Sequence, residues 1–325
     1  MKNIAILAGG NSSEYDVSLD SAAQVEKAID REKYTPYPIF VKGSRWFHRD
    51  AVGVEADVDK NDFSITVGGR KIMLEYGLIL IHGTPGEDGL LQGYFELMGI
   101  PYSSSGVLAS ALTFDKSLTK KIVAGAGVPM AREVLIRKGE AADPEKIVAT
   151  LGLPLFVKPN ASGSSFGVSK VKTVEALLPA VETALTESDR VLIEEFMAGT
   201  EVSCGAMVAG GREYFFPPTE IVSMKEFFDY EAKYTPGMSD EITPARIAPE
   251  VTAAVQHQAM NIYKFLGCRG VARVDFIIRD GVPHMIEINT VPGMSSGSII
   301  PKQAREMGLP LSGLFDIIIE DTFNR

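Results

Sequence analysis

Two short runs near the C-terminal end carry residue types suited to metal and phosphate chemistry: RVDF (273–276) and EIN (287–289). Side chains on a strand alternate between faces, so Arg273 and Asp275 share a face, and so do Glu287 and Asn289. Whether the two pairs look the same way depends on the connection between the strands. A two-residue turn at Asp280-Gly281 pairs Asp275 with Ile286 and turns Glu287 away. A three-residue loop, Asp280-Gly281-Val282, pairs Asp275 with Glu287 and Arg273 with Asn289. Only the second register lines up two carboxylates and an amide oxygen, the hard ligands Mg²⁺ prefers, beside a cation. The plainer reading is a cross-strand pair of solvent-facing charges. Apolar Val274, Phe276, Ile286 and Ile288 mark the opposite face as core, so the charged face must look at solvent or a cleft.

A second candidate is KPNASGSSFG (158–167). It lacks the Lys-Ser or Lys-Thr of a Walker A loop and the GxGxxG spacing of a dinucleotide fingerprint. Even so, Lys158 ends a strand pattern, and Gly163, Ser164, Ser165 and Gly167 can bring N–H groups and hydroxyls to an anion. A flexible turn with a surface lysine is the alternative. The chain's net charge of −10 means that any polyphosphate must be met by cations concentrated locally, or by a metal. The same charge argues against nucleic acid or an anionic membrane as the main partner.

The elements that must position these residues alternate between strand and helix patterns, which indicates α/β architecture. IAIL (4–7) reads as a strand, followed by a helix with Ser18 as its cap and Ala22, Val25 and Ile29 on its apolar face. GLILIHG (77–83) reads as a buried parallel strand and LLQGYFELMG as a helix ending at Gly99. Together they form a small doubly wound block. Turn residues in GIPYSSSG (99–106) mark a first boundary, and VLIEEFMAG (191–199) a second. The expected units are 1–103, 104–195 and 196–325. A helix is expected over Lys116–Ala126, capped by Thr113 or Asp115. The last unit is expected to hold two strands, VARVDFII and VPHMIEIN. The segment 222–245, charged and aromatic without periodicity, is expected to be a lid.

With 325 residues, 45% of them hydrophobic, the chain can bury more than one core. No apolar run approaches the ~20 residues needed to span a bilayer. The N-terminal MKNIAILAGG reads as a first strand and not as a signal peptide. Cys204 and Cys268 are the only cysteines, which suggests a reducing cytoplasm and simple packing roles.

Eight segments in one order match a known family: GGNSSEYDVSLDS (9–21), HGTPGEDG (82–89), FDKSLTK (114–120), VKPNASGSSFGVSKV (157–171), VLIEEFMAGTEVS (191–203), FDYEAKY (228–234), GVARVDF (270–276) and EINTVPGMSSGSIIP (287–301). The chain resembles the D-alanine–D-alanine ligases of the ATP-grasp superfamily over nearly its whole length. The resemblance implies a three-domain ATP-grasp fold and an N-terminal doubly wound parallel-sheet domain. It implies ATP held between the central and C-terminal lobes, two Mg²⁺ (or Mn²⁺) and a homodimer.

Asp275, Glu287 and Asn289 match the family's metal ligands. Lys116, Lys158 and Lys233 match its phosphate-contacting lysines, with Ser164 and Ser165 in the phosphate loop. Glu194, Glu195, Met197 and Glu201 fall where adenine and ribose bind. Arg273 matches the group that stabilises the transferring phosphoryl group. The Gly293 N–H matches an oxyanion-hole donor, of a type worth about 2.7–4 kcal/mol. Glu14 matches the carboxylate for the first D-alanine's ammonium, joined by Ser164 and Tyr234. His82 lies near that substrate, whereas Ser298 and Ile299 match the second substrate's carboxylate contact and apolar wall. His48, His257 and His284 have no assigned role.

Two departures stand out: Thr84-Pro85 where many members have Arg-Gly, and Asn160-Ala161-Ser162 where others carry more charge. Tyr234 favours a dipeptide product over D-alanyl-D-lactate. The expected function is therefore joining two D-alanines through an acyl phosphate for peptidoglycan precursor. Ligation of D-lactate or D-serine is the alternative.

Overall fold

The computed structural model describes residues 1–50, 52–161, 163, 166–223 and 239–324. Ser164, Ser165, Lys233 and Tyr234, with most of the expected lid at 222–245, lie outside the described residues.

Strand β1 (Lys2–Gly9) occupies the middle of the first sheet, parallel to β2 (Tyr34–Lys42) on one side and to β7 (Tyr76–Ile79) on the other. Its run Ile4 to Ala8 is fully enclosed, because helices cover both faces of a parallel sheet. On one face Ile4, Ile6 and Ala8 meet Ala22, Val25 and Ile29 of the α1 (Tyr15–Ala28) region. On the other, Ala5 and Leu7 share a core with Leu91 and Phe95 of α2 (Leu90–Met98), which ends at left-handed Gly99. The parallel core is extended by four antiparallel strands, β3 (Arg45–Arg49), β4 (Glu55–Asp59), β5 (Ser64–Val67) and β6 (Arg70–Met73), giving the order β6-β5-β4-β3-β2-β1-β7. These were not anticipated.

Ser18 does not cap α1; Glu14 is at the N-cap position and Ser18 lies in the second turn. The Ser18 hydroxyl accepts from Gly9 N (2.9 Å) and donates to Leu80 O (2.7 Å), tying the ends of two parallel strands to the helix between them.

The second sheet is built from β8 (Glu133–Arg137), β9 (Leu155–Pro159), β10 (Ser169–Val171) and β11 (Arg190–Glu195) in the order β10-β9-β11-β8, and β9 leads into the 158–167 loop. Helix α4 runs over Lys116–Ala124, two residues shorter than expected. Asp115 is its cap, accepting from Leu118 N, and Thr113 is not.

The third sheet holds more than the two expected strands: β12 (Thr200–Ala209), β13 (Arg212–Phe215), β14 (Thr219–Ser223) and β15 (Ser239–Ile242) join β16 (Val271–Arg279) and β17 (Val282–Asn289). Its inner face, with Val202, Cys204, Val274, Phe276 and Ile288, packs on α7 (Pro249–Phe265) through Val255, Ala259 and Tyr263. Cys204 and Cys268 are buried free thiols, packed as expected. The last helix, α9 (Leu311–Phe323), returns to the N-terminal sheet. Its Leu314, Phe315, Ile318 and Ile319 share a continuous core with β1 and with Phe216 and Ile300. The first and last parts of the chain therefore do not bury separate cores. Among the described residues no helix is long and apolar enough to cross a membrane.

Candidate active site

The β16–β17 hairpin decides whether the carboxylates meet. Its turn is the two-residue one: Arg279 pairs with Val282, and Asp280 (φ 52°) and Gly281 (φ 78°) sit in the left-handed region. That register, continued, would have turned Glu287 away. A β-bulge between Asp275 and Phe276 intervenes, with Phe276 opposite Met285 and Asp275 opposite Glu287. One extra residue, Ile286, restores the site-building register, and Arg273 faces Asn289. The expectation that only a three-residue loop could build the site is thus corrected. So is the core assignment: Met285 takes the buried position, and Ile286 is only partly buried.

On the outward face Asp275 is 8% exposed. Arg273 grips it with Nε to Oδ1 (2.9 Å) and Nη2 to Oδ2 (2.8 Å), while Ser203 on β12 donates Oγ to Oδ1 (2.6 Å). Ser203 pairs directly with Asp275 across the ladder, and Glu201 shares its face one step along. Lys116, the first residue of α4, places Nζ 3.3 Å from Glu287 Oε2. Asn289 Oδ1 accepts from Val291 N (2.9 Å).

These groups line a cavity of about 310 Å³ whose opposite wall comes from the start of α1, the segment after β7 and the 290–300 segment. Glu14, His82, Gly163, Arg273, Gly293, Ser298 and Ile299 all border it. Gly163 comes so close to Glu14 that a Cβ there would lie 2.0 Å from Glu14 Oε2. A Cβ on Gly293 would likewise lie 2.8 Å from Ser298 Oγ. Ser298 occupies the N-cap position of α8 (Ile299–Glu306), a helix start that favours an anion, and its hydroxyl meets Ser295 Oγ at 2.8 Å without capping the helix. Buried Gln303 fixes α8 to β12, with Nε2 donating to Ser203 O (2.8 Å) and Oε1 accepting from Gly205 N (3.0 Å).

Lys158 and Glu194 meet on the face of the central sheet opposite its apolar core, Nζ to Oε2 at 2.5 Å, both largely buried. Burial pulls the Lys158 ammonium down, but Glu194 and then Glu287 more than offset this, leaving its pKa raised. Burial pushes the Glu194 carboxyl up, and Lys158 and Lys120 outweigh it, leaving its pKa lowered. Glu195 instead pairs outward with Arg132 (2.7 Å). Met197 follows it, half-buried.

The sequence reading passed over four residues: Ser203 and Glu87, which line the cavity, and Gln303 and Lys120, which support the elements around it. Glu87 lay inside the quoted HGTPGEDG without a role. It is 7% exposed, borders the cavity and accepts from Gly83 N (2.6 Å). Burial, then the neighbouring Glu14 charge, raises its pKa from 4.5 to about 8. Beside it, burial lowers the pKa of His82, and His82 Nε2 is enclosed without a hydrogen-bond partner.

Among the described residues, no group of three or more His, Cys, Asp or Glu side chains could hold a metal unaided. Asp275 and Glu287 do offer adjacent carboxylates with the Asn289 amide oxygen nearby, a donor set that fits Mg²⁺ when phosphate or water oxygens complete the shell.

The fold and the site together define a nucleotide-dependent ligase of the ATP-grasp class. Within that class, the chain belongs to the D-alanine–D-alanine ligase family: it matches the family's N-terminal description over residues 3–105 and its C-terminal description over 122–320. A D-alanine–D-alanine ligase of Bacteroides fragilis is 48% identical over 323 residues, 99% of each chain. The crystal structure of VanG D-Ala:D-Ser ligase from Enterococcus faecalis superposes with a TM-score of 0.87 at 36% identity, covering 98% of both chains. A Bacillus anthracis D-alanine–D-alanine ligase complexed with ATP gives 0.79 at 30% identity, covering 100% of this chain and 98% of its own.

Proposed function

We propose that this protein joins two D-alanines to D-alanyl-D-alanine at the expense of ATP, for peptidoglycan precursor. The observation that carries the reading is that one cavity brings the two groups of residues together. On one wall lie Arg273, Asp275, Glu287 and Asn289; on the other, Glu14, His82, Gly293 and Ser298.

A carboxylate is inert to amines because its leaving group is too poor. A carboxylate oxygen of the first D-alanine, its ammonium held by Glu14, attacks the γ-phosphorus and ADP departs. The second D-alanine, its carboxylate at Ser298 and the α8 N-terminus with Ile299 as wall, attacks the acyl carbon through its amine. The amine loses a proton and inorganic phosphate leaves. Arg273 and the Gly293 N–H offset the charge that develops on phosphoryl and carbonyl oxygens. Lys116 and Lys158 meet the phosphates, while Glu194, Glu195, Met197 and Glu201 surround base and ribose. Ser164, Ser165, Lys233 and Tyr234 are assigned by family resemblance alone. Asp275, Glu287 and Asn289 would hold two Mg²⁺ (or Mn²⁺), which neutralise phosphate charge when bound.

Further assignments belong to the same reading. The units are 1–103, 104–195 and 196–325, supported by the strands of one sheet falling within each. The protein is placed in the cytoplasm. It pairs as a homodimer through the N-terminal unit, which is supported by Leu90 and Leu97, 64% and 91% exposed on α2.

The deciding experiment follows phosphate release from Mg-ATP with D-alanine alone, L-alanine alone, or D-alanine plus D-serine or D-lactate, with product masses recorded. D-Alanine alone should suffice and yield the dipeptide. A requirement for D-serine, the second substrate named for the VanG structure, or for D-lactate would replace the product assignment. No release with any set would remove the ligase reading.

A further inference from the structure

Lys120 does not border the cavity, yet it sits at the centre of the charge network beneath it. It is 4% exposed, and its ammonium reaches three oxygens: Ala131 O at 3.0 Å, Glu133 Oε2 at 2.9 Å, and Glu194 Oε1 in a short ion pair. Two of these contacts, to Ala131 O and Glu194 Oε1, are hydrogen bonds and the third is an ion pair, so the Lys120 ammonium is held by protein oxygens on all three counts. The network continues on both sides. Glu133 Oε1 accepts from Ser117 Oγ at 2.8 Å, and Glu194 Oε2 meets Lys158 at 2.5 Å. Glu133, Lys120, Glu194 and Lys158 thus form a buried chain of alternating charge that sums to zero.

The root of Lys120 is equally fixed. Asp115 caps α4, Ser117 N donates to Asn160 Oδ1 at 2.9 Å, and Lys116 N donates to Asn160 O at 3.1 Å. The helix that carries Lys120 is therefore pinned to the end of β9, where Lys158 emerges. Glu194 divides its two oxygens between two lysines. With only Lys158 available, the buried carboxylate would depend on that one ammonium, because a buried charge left unpaired is costly. Sharing changes this: Lys120 can keep Glu194 compensated while Lys158 is elsewhere.

We propose that Lys120 is a positioning residue for the nucleotide: it fixes and balances Glu194, so that Lys158 is free to exchange Glu194 for a phosphate oxygen. The inference rests on the assignment of Lys158 and Glu194 to the nucleotide site.

The test measures KM for ATP, KM for D-alanine, ADP binding by calorimetry and melting temperature on the full chain. Lys120→Met should raise KM for ATP and Kd for ADP by about 10-fold or more, the usual effect of losing a hydrogen bond to a charged group. KM for D-alanine should stay within about twofold, since the lost contact acts on the nucleotide alone. Lys120→Arg should recover part of the nucleotide affinity.

The double variant Lys120→Met/Glu133→Gln removes one charge of each sign. It should regain most of the melting temperature while KM for ATP stays raised. If stability and KM for ATP recovered together, Lys120 would be a structural residue only and the proposal would fall. Glu194→Gln separates the two levels. If it left KM for ATP unchanged, the nucleotide-site assignment itself would fail. If it raised KM for ATP while Lys120→Met did not, only the role of Lys120 would be wrong.

Discussion

Glu87 should make the stability of the unliganded protein fall as pH rises, and the effect can be isolated. Its carboxyl is enclosed, with Gly83 N–H donating to Oε2 at 2.6 Å. Burial and the Glu14 charge hold its pKa up at about 8, against the opposing pull of Gly83, Lys116 and Arg273. In the unfolded chain it titrates near the ordinary 4.5. Between those values the native state keeps a proton that the unfolded state has lost. The sign follows: the contribution of Glu87 is fully present below pH 4.5 and drains away as pH rises to 8. The slope is about 1.4 kcal/mol per pH unit, or about 5 kcal/mol across the window.

Glu87→Gln has no proton to lose and keeps an oxygen for Gly83 N–H. Urea unfolding of both proteins at half-unit steps from pH 5 to 8.5 gives a difference in which every other titrating group largely cancels. That difference should grow in favour of the variant by about 1.4 kcal/mol per unit and flatten near pH 8. In a Glu14→Gln background the rise should end at lower pH, because one of the raising charges is gone. Parallel wild-type and variant curves would refute the argument.

Two further outcomes are expected. Gly163→Ala places a methyl 2.0 Å from Glu14 Oε2, so Glu14 or the loop must shift; KM for D-alanine should rise by about 10-fold, as overpacking costs of 1–3 kcal/mol imply. An unchanged KM would detach Glu14 from substrate binding. Leu97→Glu, a charge placed at a residue 91% exposed on α2, should convert a dimer to monomers in size-exclusion chromatography with light scattering. A dimer that persisted would exclude that helix from the interface.

What could be read from the chain beforehand followed periodicity. The alternation in RVDF and EIN, the unbroken apolar run of β7 and the glycine stop after α2 are local facts, and all three reappear in the structure. The errors came where one residue answers to a distant partner. Ser18 carries a capping side chain, but its hydroxyl serves Gly9 and Leu80. Glu87 and Lys120 look like surface charges until the fold encloses them. Helix α9 reads as an ordinary closing helix, and nothing local says that it completes the first sheet's core. Ile286 shows the limit most clearly. A bulge leaves no mark in hydrophobic pattern beyond one extra apolar residue, and turn chemistry at Asp280-Gly281 taken alone points to the wrong face.

The bulge also says what kind of change this hairpin can absorb. What matters for Asp275 and Glu287 is that they stay opposite each other across the ladder, and not how many residues separate them. A descendant could drop Ile286, straightening the strand, and still present both carboxylates together. It could equally trade the bulge for a loop one residue longer. Insertions or deletions that arrive singly within a regular ladder would turn Glu287 inward, while compensated pairs would pass unnoticed. Spacing between the two carboxylates is therefore a poor signature for finding this hairpin in diverged sequences, and shared facing is the property to search for.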